Sequence, residues 1–463
     1  MCRSSILVLI FYAVLACGVC APSAKNSFAI AAEEIKDETP SDAKRVEDAL
    51  RLWFDGNIDN AESELTALVD AKTSNPVPYH ALAVLLNDKK ADYTKVTRLY
   101  SRHRVLIPKG KESYKAIMPL LDEYALTGNV QALLMQGRIK QTALDGRGGL
   151  ANAMLAFRRA SDGGYAPAQR ELGFMYEMGL GVVEDDKEAE RLYSLSAVQG
   201  YPAAMTNLAV MYINGDVAKS KKEFALKLLH EAADMHYADA EIVLAKMYRE
   251  GVFLKKNKQK SFEHFTKAAE YGSSDAMGIL GWVYETGQSV EKSPELAVKW
   301  YREAAECGND NALFRLGVLY YTGTFVKEDH EEAFKNFKMS AELGNVGAWF
   351  NVAILYINGD GVERDAKAAK VWFERSARMG NAEAQANLGI MYANGDGVSA
   401  DFEEAYFWLS LAKLCGDDNT EGLKSVGEKL DDAARDRAQR KAITVRDRLL
   451  KRGFDITEVE DDK

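Results

Sequence analysis

The sequence contains few of the residues that build metal, redox or disulfide sites. Its 463 residues include five cysteines and six histidines. Three cysteines lie within the first 20 residues, and the other two are Cys307 and Cys415. So few cysteines in a chain of this length do not fit a small scaffold held together by disulfides. No histidine stands at the spacing of a metal-binding motif, so the sequence predicts no catalytic residue, no cofactor-binding residue and no metal ligand.

An excess of positive charge is also lacking. The chain has 59 basic and 69 acidic residues, which gives a net charge of −10. Nucleic-acid-binding proteins concentrate Lys and Arg on one face, so this balance argues against nucleic acid as a partner. One basic cluster occurs, and we interpret it as a solvated loop, with an anion contact as the alternative. Its residues are Lys219, Lys221, Lys222, Lys255, Lys256, Lys258 and Lys260.

No apolar run in the sequence is long enough to span a bilayer. The run from Ile6 to Ala16 suits a secretory signal, which predicts a signal peptide over 1–31. Two processing routes are open. The residues before Cys17 resemble the box of a bacterial lipoprotein, which makes Cys17 a lipidation candidate and membrane-surface attachment an option, whereas Ala29-Ile30-Ala31 offers an ordinary cleavage site. The sequence has no Asn-x-Ser/Thr acceptor, which favours a bacterial protein exported to the periplasm or the inner face of the outer membrane.

The dominant positive feature is a period of 36 residues. Seven tyrosines follow one another at this spacing without insertion or deletion, and we number the copies by them. They are Tyr176, Tyr212, Tyr248, Tyr284, Tyr320, Tyr356 and Tyr392. A fixed period of this length is typical of a solenoid, in which each copy buries its apolar face against the next.

Each copy has the pattern of two helices joined by a turn. In the first copy Ala168, Leu172 and Met175 recur at helical spacing and predict the first helix. Only Gly or Ala occupies the Gly173 position in the seven copies, which predicts that two helices approach closely there. A Gly- and Asn-containing loop follows, and a second helix is predicted to end at the Gly200 position with a C-terminal glycine cap.

The combined motif A-x-x-x-L-G-x-x-Y-x-x-G-x-G-V followed by A-x-x-x-[FY]-x-x-A-A-x-x-G resembles the Sel-1-like repeat family, a relative of the tetratricopeptide repeats. The resemblance covers seven copies over 165–416 and implies an all-α fold, a right-handed α/α solenoid of helical hairpins. It also implies a protein that assembles complexes or regulates signalling or surface polysaccharide production, with another protein, from an envelope or signalling complex, as its partner.

The remaining segments are assigned by their relation to the repeats. The segment 42–129 is predicted to form irregular hairpins similar to tetratricopeptide units, and 130–164 is predicted to be a degenerate repeat. The solenoid is thus expected to run continuously from near residue 42. The segment 417–452 reads as one long amphipathic helix that caps the last repeat. The acidic tail 453–463 is predicted to be disordered.

Partner-binding candidates come from the first helices, which line the concave groove of such solenoids. In copies five and six the positions beside the core stripe are apolar. Two interpretations are open: the side chains fill contacts between adjacent first helices, or they form a binding patch for an apolar or helical partner segment. The residues are Phe314, Val318, Tyr321, Trp349, Phe350, Ile354 and Ile357.

These observations predict a non-catalytic adaptor or regulator of the bacterial cell envelope that holds a partner in its groove. One alternative within the binding class is a lipid-anchored component of an exopolysaccharide export complex. An alternative of another class is a hydrolase that acts on cell-wall material, although no nucleophile, base or metal set supports it in the sequence.

Overall fold

A computed structural model describes residues 40–89, 93–106, 111–142, 147–215, 218–417 and 420–451. The predicted signal peptide, Cys17 and the acidic tail lie outside the described residues. Within the described residues all regular secondary structure is α-helical. The helices divide into two compact units, and the boundary falls between Gly308 and Asn309.

The first unit contains the N-terminal helices, the degenerate repeat and copies one to four. Its described helices are α1 (Pro40–Phe54), α2 (Ile58–Asp70), α3 (Pro76–Asp88), α4 (Tyr93–Leu106), α5 (Lys111–Leu126), α6 (Val130–Thr142), α7 (Arg147–Asp162), α8 (Ala166–Glu177), α9 (Asp186–Val198), α10 (Pro202–Asn214), α11 (Ala218–Asp234), α12 (Ala238–Glu250), α13 (Lys258–Glu270), α14 (Ser274–Thr286) and α15 (Pro294–Glu306).

The second unit contains copies five to seven and the C-terminal cap. Its described helices are α16 (Asp310–Thr322), α17 (His330–Glu342), α18 (Val346–Asn358), α19 (Ala366–Arg378), α20 (Ala382–Asn394), α21 (Phe402–Leu414), α22 (Thr420–Gly427) and α23 (Asp432–Lys451).

In copy one and in copies three to seven the hairpin is closed by the same pair of hydrogen bonds in its loop. In copy six the amide of Asp365 donates to the carbonyl of Tyr356 (3.0 Å). The Asp365 carboxylate then accepts from the amides of Lys367 and Ala368 (3.0 Å each) and caps α19. The periodic tyrosine therefore also marks the backbone position at which the chain turns into the second helix.

The Gly or Ala at the Gly173 position of each copy lies where the two helices of a hairpin touch, as the sequence predicts. An added Cβ at Gly317 would lie 2.7 Å from the ring of Phe337, and Phe337 is 2 % exposed. In copy four, an added Cβ at Gly281 would lie 2.6 Å from the ring of Tyr301. One period before the first copy, Gly137 faces Phe157 in the same way (2.4 Å).

The loops between helices hold a left-handed residue even where glycine is replaced. Gly361 and Gly397 have φ of +68° and +70°, and Phe253, Ser289 and Phe325 occupy the equivalent position with φ of +58°, +74° and +67°. Copies three to five thus keep the backbone conformation at a cost of about 1 kcal/mol or more for each non-glycine residue.

The C-terminal segment differs from the single long helix that the sequence predicts. The helix breaks after Gly427, and the carboxylate of Asp431 accepts from the amide of Ala434 (2.7 Å), which starts α23 with a new cap. The helix α23 covers α21 through Phe407, Leu411 and Ala438, all of them buried. Apolar periodicity continued through the break and therefore hid it.

Candidate protein-binding face

The first helices present three rows of side chains beside their core stripe. The rows begin at Arg170, Phe174 and Glu177 in copy one. Each row contains one residue per copy, at a spacing of 36 residues. We call these three rows the first-helix face. In the first unit and in the second unit this face has different surroundings.

In copies one to three the first-helix face is largely buried. Phe174, Val210 and Ile242 are only 4 %, 5 % and 2 % exposed. The hairpin formed by α3 and α4 lies against these first helices. Its Asp88 accepts a hydrogen bond from Tyr165 (2.6 Å), and the ring of Tyr93 meets that of Tyr237 edge to face at 6.1 Å.

This placement of α3 and α4 departs from the continuous solenoid that the sequence predicts. Instead of adding one more layer, the hairpin reaches residues of the degenerate repeat, of copy one and of copy three. Every residue of α3 from Pro76 to Asn87 is buried, because the helix is covered by α2 and α4 and by the repeats. The hairpin of α3 and α4 thus packs on the first-helix face within the first unit.

A buried ionic network joins the hairpin to the repeats. Arg138 stands one period before Phe174 and donates to Glu171 Oε1 through Nε and Nη2 (3.0 and 2.6 Å) and to the hydroxyl of Tyr100 on α4 (2.7 Å). Arg170 donates to the other carboxylate oxygen of Glu171 (3.1 Å). Burial raises the pKa of Glu171, but Arg138 and Arg170 outweigh it and hold that pKa below its ordinary value.

Two histidines extend the network into the hairpin. The rings of His80 and His103 lie 4.7 Å apart, and Arg138 Nη1 is 3.4 Å from His80 Nε2. His103 Nε2 is hydrogen bonded to the hydroxyl of Tyr114. Burial, helped by Arg138, lowers the pKa of His103 to about 3. Burial, His103 and Arg138 lower the pKa of His80 well below its ordinary value.

Acidification from about pH 7.5 to about pH 5.5 is expected to lower the free energy of unfolding by about 2 kcal/mol. Because the folded pKa values of His80 and His103 are depressed, only the unfolded chain takes up these protons. The stability contributed by the two neutral histidines is fully present above about pH 6.5 and is lost as the pH falls toward about 3. The test is urea unfolding at both pH values, with His103→Gln expected to remove about half of the pH dependence.

The control for this measurement is His230→Gln, which replaces an exposed histidine of α11. It should keep the full pH dependence. The assignment to the buried pair is wrong if His103→Gln and wild type lose the same stability on acidification.

In the second unit the predicted binding residues have unequal surroundings. The ring of Phe314 meets that of Phe337 at 5.6 Å, and the ring of Phe350 meets that of Phe373 at 5.9 Å, so both are anchored on the core of their own hairpin. The indole of Trp349 donates to the carbonyl of Ala341 (3.0 Å) at the end of α17. These contacts give three of the candidates a packing role.

The other predicted residues lie on the first-helix face and are partly open. Val318, Ile354 and Ile357 are half-buried against the core, and Tyr321 is 38 % exposed and stacks on His330 at 4.9 Å. Ile390 was not among the predicted residues, although it continues the Val318 and Ile354 row into copy seven and is 40 % exposed. Extending the row by one more period would have found it.

The residue at the N-cap of the first helix also differs between copies, and this difference was not used in the prediction. Copies four to seven start their first helix with Ser273, Asn309, Asn345 or Asn381, and each side chain accepts a backbone hydrogen bond. Copies one to three have tyrosines at this position, which form no such cap. These residues, two of which contact the α3 and α4 hairpin, are Tyr165, Tyr201 and Tyr237.

Within the described ranges no group of three or more His, Cys, Asp or Glu side chains could hold a metal ion. Lys255, Lys256 and Lys260 line a surface cavity beside Tyr248, whereas Lys221 is paired with Glu190. The thiols of Cys307 and Cys415 are both free. None of the described helices combines the length and the apolar character needed to cross a membrane.

The comparisons with known proteins agree with this architecture. The family model described as the Sel1 repeat matches seven consecutive copies that together exceed half of the chain. The matched segments are 166–201, 202–237, 238–273, 274–309, 310–345, 348–381 and 382–417. The chain has no match among curated proteins.

The solved structures that are similar to the chain include three from bacteria. A Sel1 repeat protein from Oxalobacter formigenes is 29 % identical, with 68 % of this chain and 90 % of that chain covered and a TM-score of 0.44. A protective antigen of uropathogenic Escherichia coli with an SLR fold is 23 % identical, with 87 % and 98 % covered and a TM-score of 0.39. An immunity protein from Pseudomonas aeruginosa is 21 % identical, with 46 % and 81 % covered and a TM-score of 0.38. The seven matched copies and their paired helices confirm the predicted repeat class, and the chain belongs to the Sel1 repeat family.

Proposed function

We propose that the protein is a non-catalytic scaffold that binds another protein on the first-helix face of copies five to seven. The observation that carries the proposal is an apolar, partly open face in the second unit, at positions whose equivalents are mostly buried in copies one to three. Apolar side chains left open in a row on a rigid scaffold are typical of protein-binding surfaces. Sel1 repeat proteins generally work as protein-binding scaffolds, which supports a protein as the partner.

The proposal includes a role in the bacterial cell envelope, supported by the apolar run before Cys17 and by the cleavage site after it. A lipid-anchored form belongs to the same proposal, and it corresponds to the alternative of a polysaccharide-export component. Mass spectrometry of the mature N-terminus distinguishes the two forms, since an acylated Cys17 indicates the anchored one and a start after Ala31 the unanchored one.

Ile390→Glu is expected to lower partner recovery about tenfold or more in a crosslinking pull-down with the tagged full chain, because a carboxylate on this apolar face must be desolvated on binding. Ile390 is preferable to Phe314 and Phe350, whose rings also pack on the core. The matched control is Val371→Glu on α19, a second helix, where the side chain is 48 % exposed.

Val371→Glu should recover the partner as wild type does. Both variants should keep the wild-type helical content and urea midpoint, since both replace exposed side chains. Equal recovery with Ile390→Glu and wild type would reject this face as the binding surface.

A further inference from the structure

The first-helix face of the second unit carries no charged residue over nine consecutive row positions. Such a face disfavours charged partner residues. A charge that packs against apolar side chains loses its hydration without gaining an ion pair. The nine residues are Phe314, Val318, Tyr321, Phe350, Ile354, Ile357, Ala386, Ile390 and Ala393. In copy one the same three positions hold two charged residues, Arg170 and Glu177, with Phe174 between them.

The face also offers almost no hydrogen-bonding groups to a bound backbone. The hydroxyl of Tyr321 is the one polar side-chain group among the nine residues. An extended peptide laid on this surface would leave its amide and carbonyl groups without partners, which is costly. A helix satisfies these groups internally and can present apolar side chains at i, i+3 and i+4.

The length of the face agrees with a short helix. Adjacent packed helices lie about 10 Å apart, so three first helices present about 20 Å from the first axis to the third. A helix of 13 residues is about 20 Å long. The helix α3 has 13 residues and therefore this length, and its ionisable side chains are Tyr79, His80 and Asp88. It contacts the degenerate repeat and copy one through His80 and Asp88.

From these observations we propose that the first-helix face of copies five to seven binds a single α-helix of the partner protein, about four turns long and uncharged along its docking stripe. This inference rests on the proposed function and names the chemistry of the partner. The chain itself contains a helix of this length, α3, whose residues from Pro76 to Asn87 are all buried.

The probe is a labelled synthetic peptide with the sequence of residues 76–88 and three added lysines at its C-terminus for solubility. Saturable binding to the full chain is expected in fluorescence anisotropy. Ile354→Glu in the protein should weaken it about tenfold or more, and Val371→Glu should leave it unchanged. Two control peptides, one with Ala83→Pro to break the helix and one with Leu85→Lys to add a charge, should each bind at least about tenfold more weakly.

Each other outcome overturns the inference. Absence of peptide binding, or equal binding of the Ala83→Pro peptide, rejects a helix as the occupant. Binding that is insensitive to Ile354→Glu places the peptide elsewhere on the chain. The pull-down with Ile390→Glu separates this failure from failure of the proposed function, since a partner lost in that variant keeps the face as a protein-binding surface even when no helix binds it.

Discussion

Glu171→Gln is expected to lower the free energy of unfolding by about 3 to 5 kcal/mol, the usual cost of removing one partner from a buried ion pair. The Glu171 side chain is fully buried, and Arg138 and Arg170 are 11 % and 3 % exposed as side chains. The neutral amide keeps the size of the carboxylate but removes the negative charge to which both buried guanidinium groups donate. Because Arg138 also donates to Tyr100, the packing of α4 on the repeats should loosen at the same time.

Urea unfolding followed by circular dichroism measures the loss for Glu171→Gln, and hydrogen exchange in α3 and α4 reports whether the hairpin opens first. The matched control is Glu188→Gln in the same copy. Glu188 accepts two hydrogen bonds from Arg191 (2.8 and 2.7 Å), but this pair is solvent-exposed, so about 1 kcal/mol or less is expected. Similar losses for the two variants would show that the buried network contributes no more than a surface ion pair.

The repeated part of the fold could be predicted from the sequence because each of its contacts recurs at a constant spacing. The periodic Gly317 position indicated close contact between helices, and the ring of Phe337 lies there. The Gly200 position indicated helix ends, and even His236, which replaces glycine in copy two, has a left-handed φ of +60°. At these positions the residue types that favour a close helix contact or a helix end recur every 36 residues. The structure of one copy therefore predicts that of the others.

The placement of α3 and α4 could not be predicted, because it depends on contacts between distant parts of the chain. Asp88 and Tyr165 are 77 residues apart, and Arg138 and Tyr100 are 38 apart. The clue in the sequence was a departure from the period, namely tyrosines at the cap positions of the first helices in copies one to three. A tyrosine gives up the helix cap that Asn or Ser supplies, which indicates a tertiary contact in its place.

The sequence could place the candidate binding residues on one side of the first helices. It could not separate the side chains anchored on the core from those that are open to solvent. Phe314 shows why: its Cε2 atom lies 3.5 Å from the position of a Cβ at Gly347, so the missing side chain of a neighbouring first helix makes room for its ring. Such a pairing depends on the packing distance between copies, which composition does not specify.

Gly361→Ala is expected to lower the free energy of unfolding by about 3 kcal/mol or more, and to act mainly on copies five and six. Gly361 has a φ of +68°, and an added Cβ would lie 1.9 Å from the carbonyl oxygen of His330 and 2.2 Å from its carbonyl carbon. Both neighbours are backbone atoms at the start of α17, so no side chain can rotate away. The methyl group therefore adds a steric overlap between two stacked copies to the conformational strain of about 1 to 3 kcal/mol.

Gly380→Ala separates the two contributions, because Gly380 has a similar φ of +87° but an added Cβ there meets no atom within 4 Å. This control should cost only the conformational strain, about 1 to 2 kcal/mol. Hydrogen exchange should show faster opening of α17 and α18 in Gly361→Ala than in Gly380→Ala, since each copy is stabilised chiefly by its neighbours. Equal urea midpoints for the two variants would mean that the loop moves off α17 at no cost, and that the contact at Gly361 does not hold copy six against copy five.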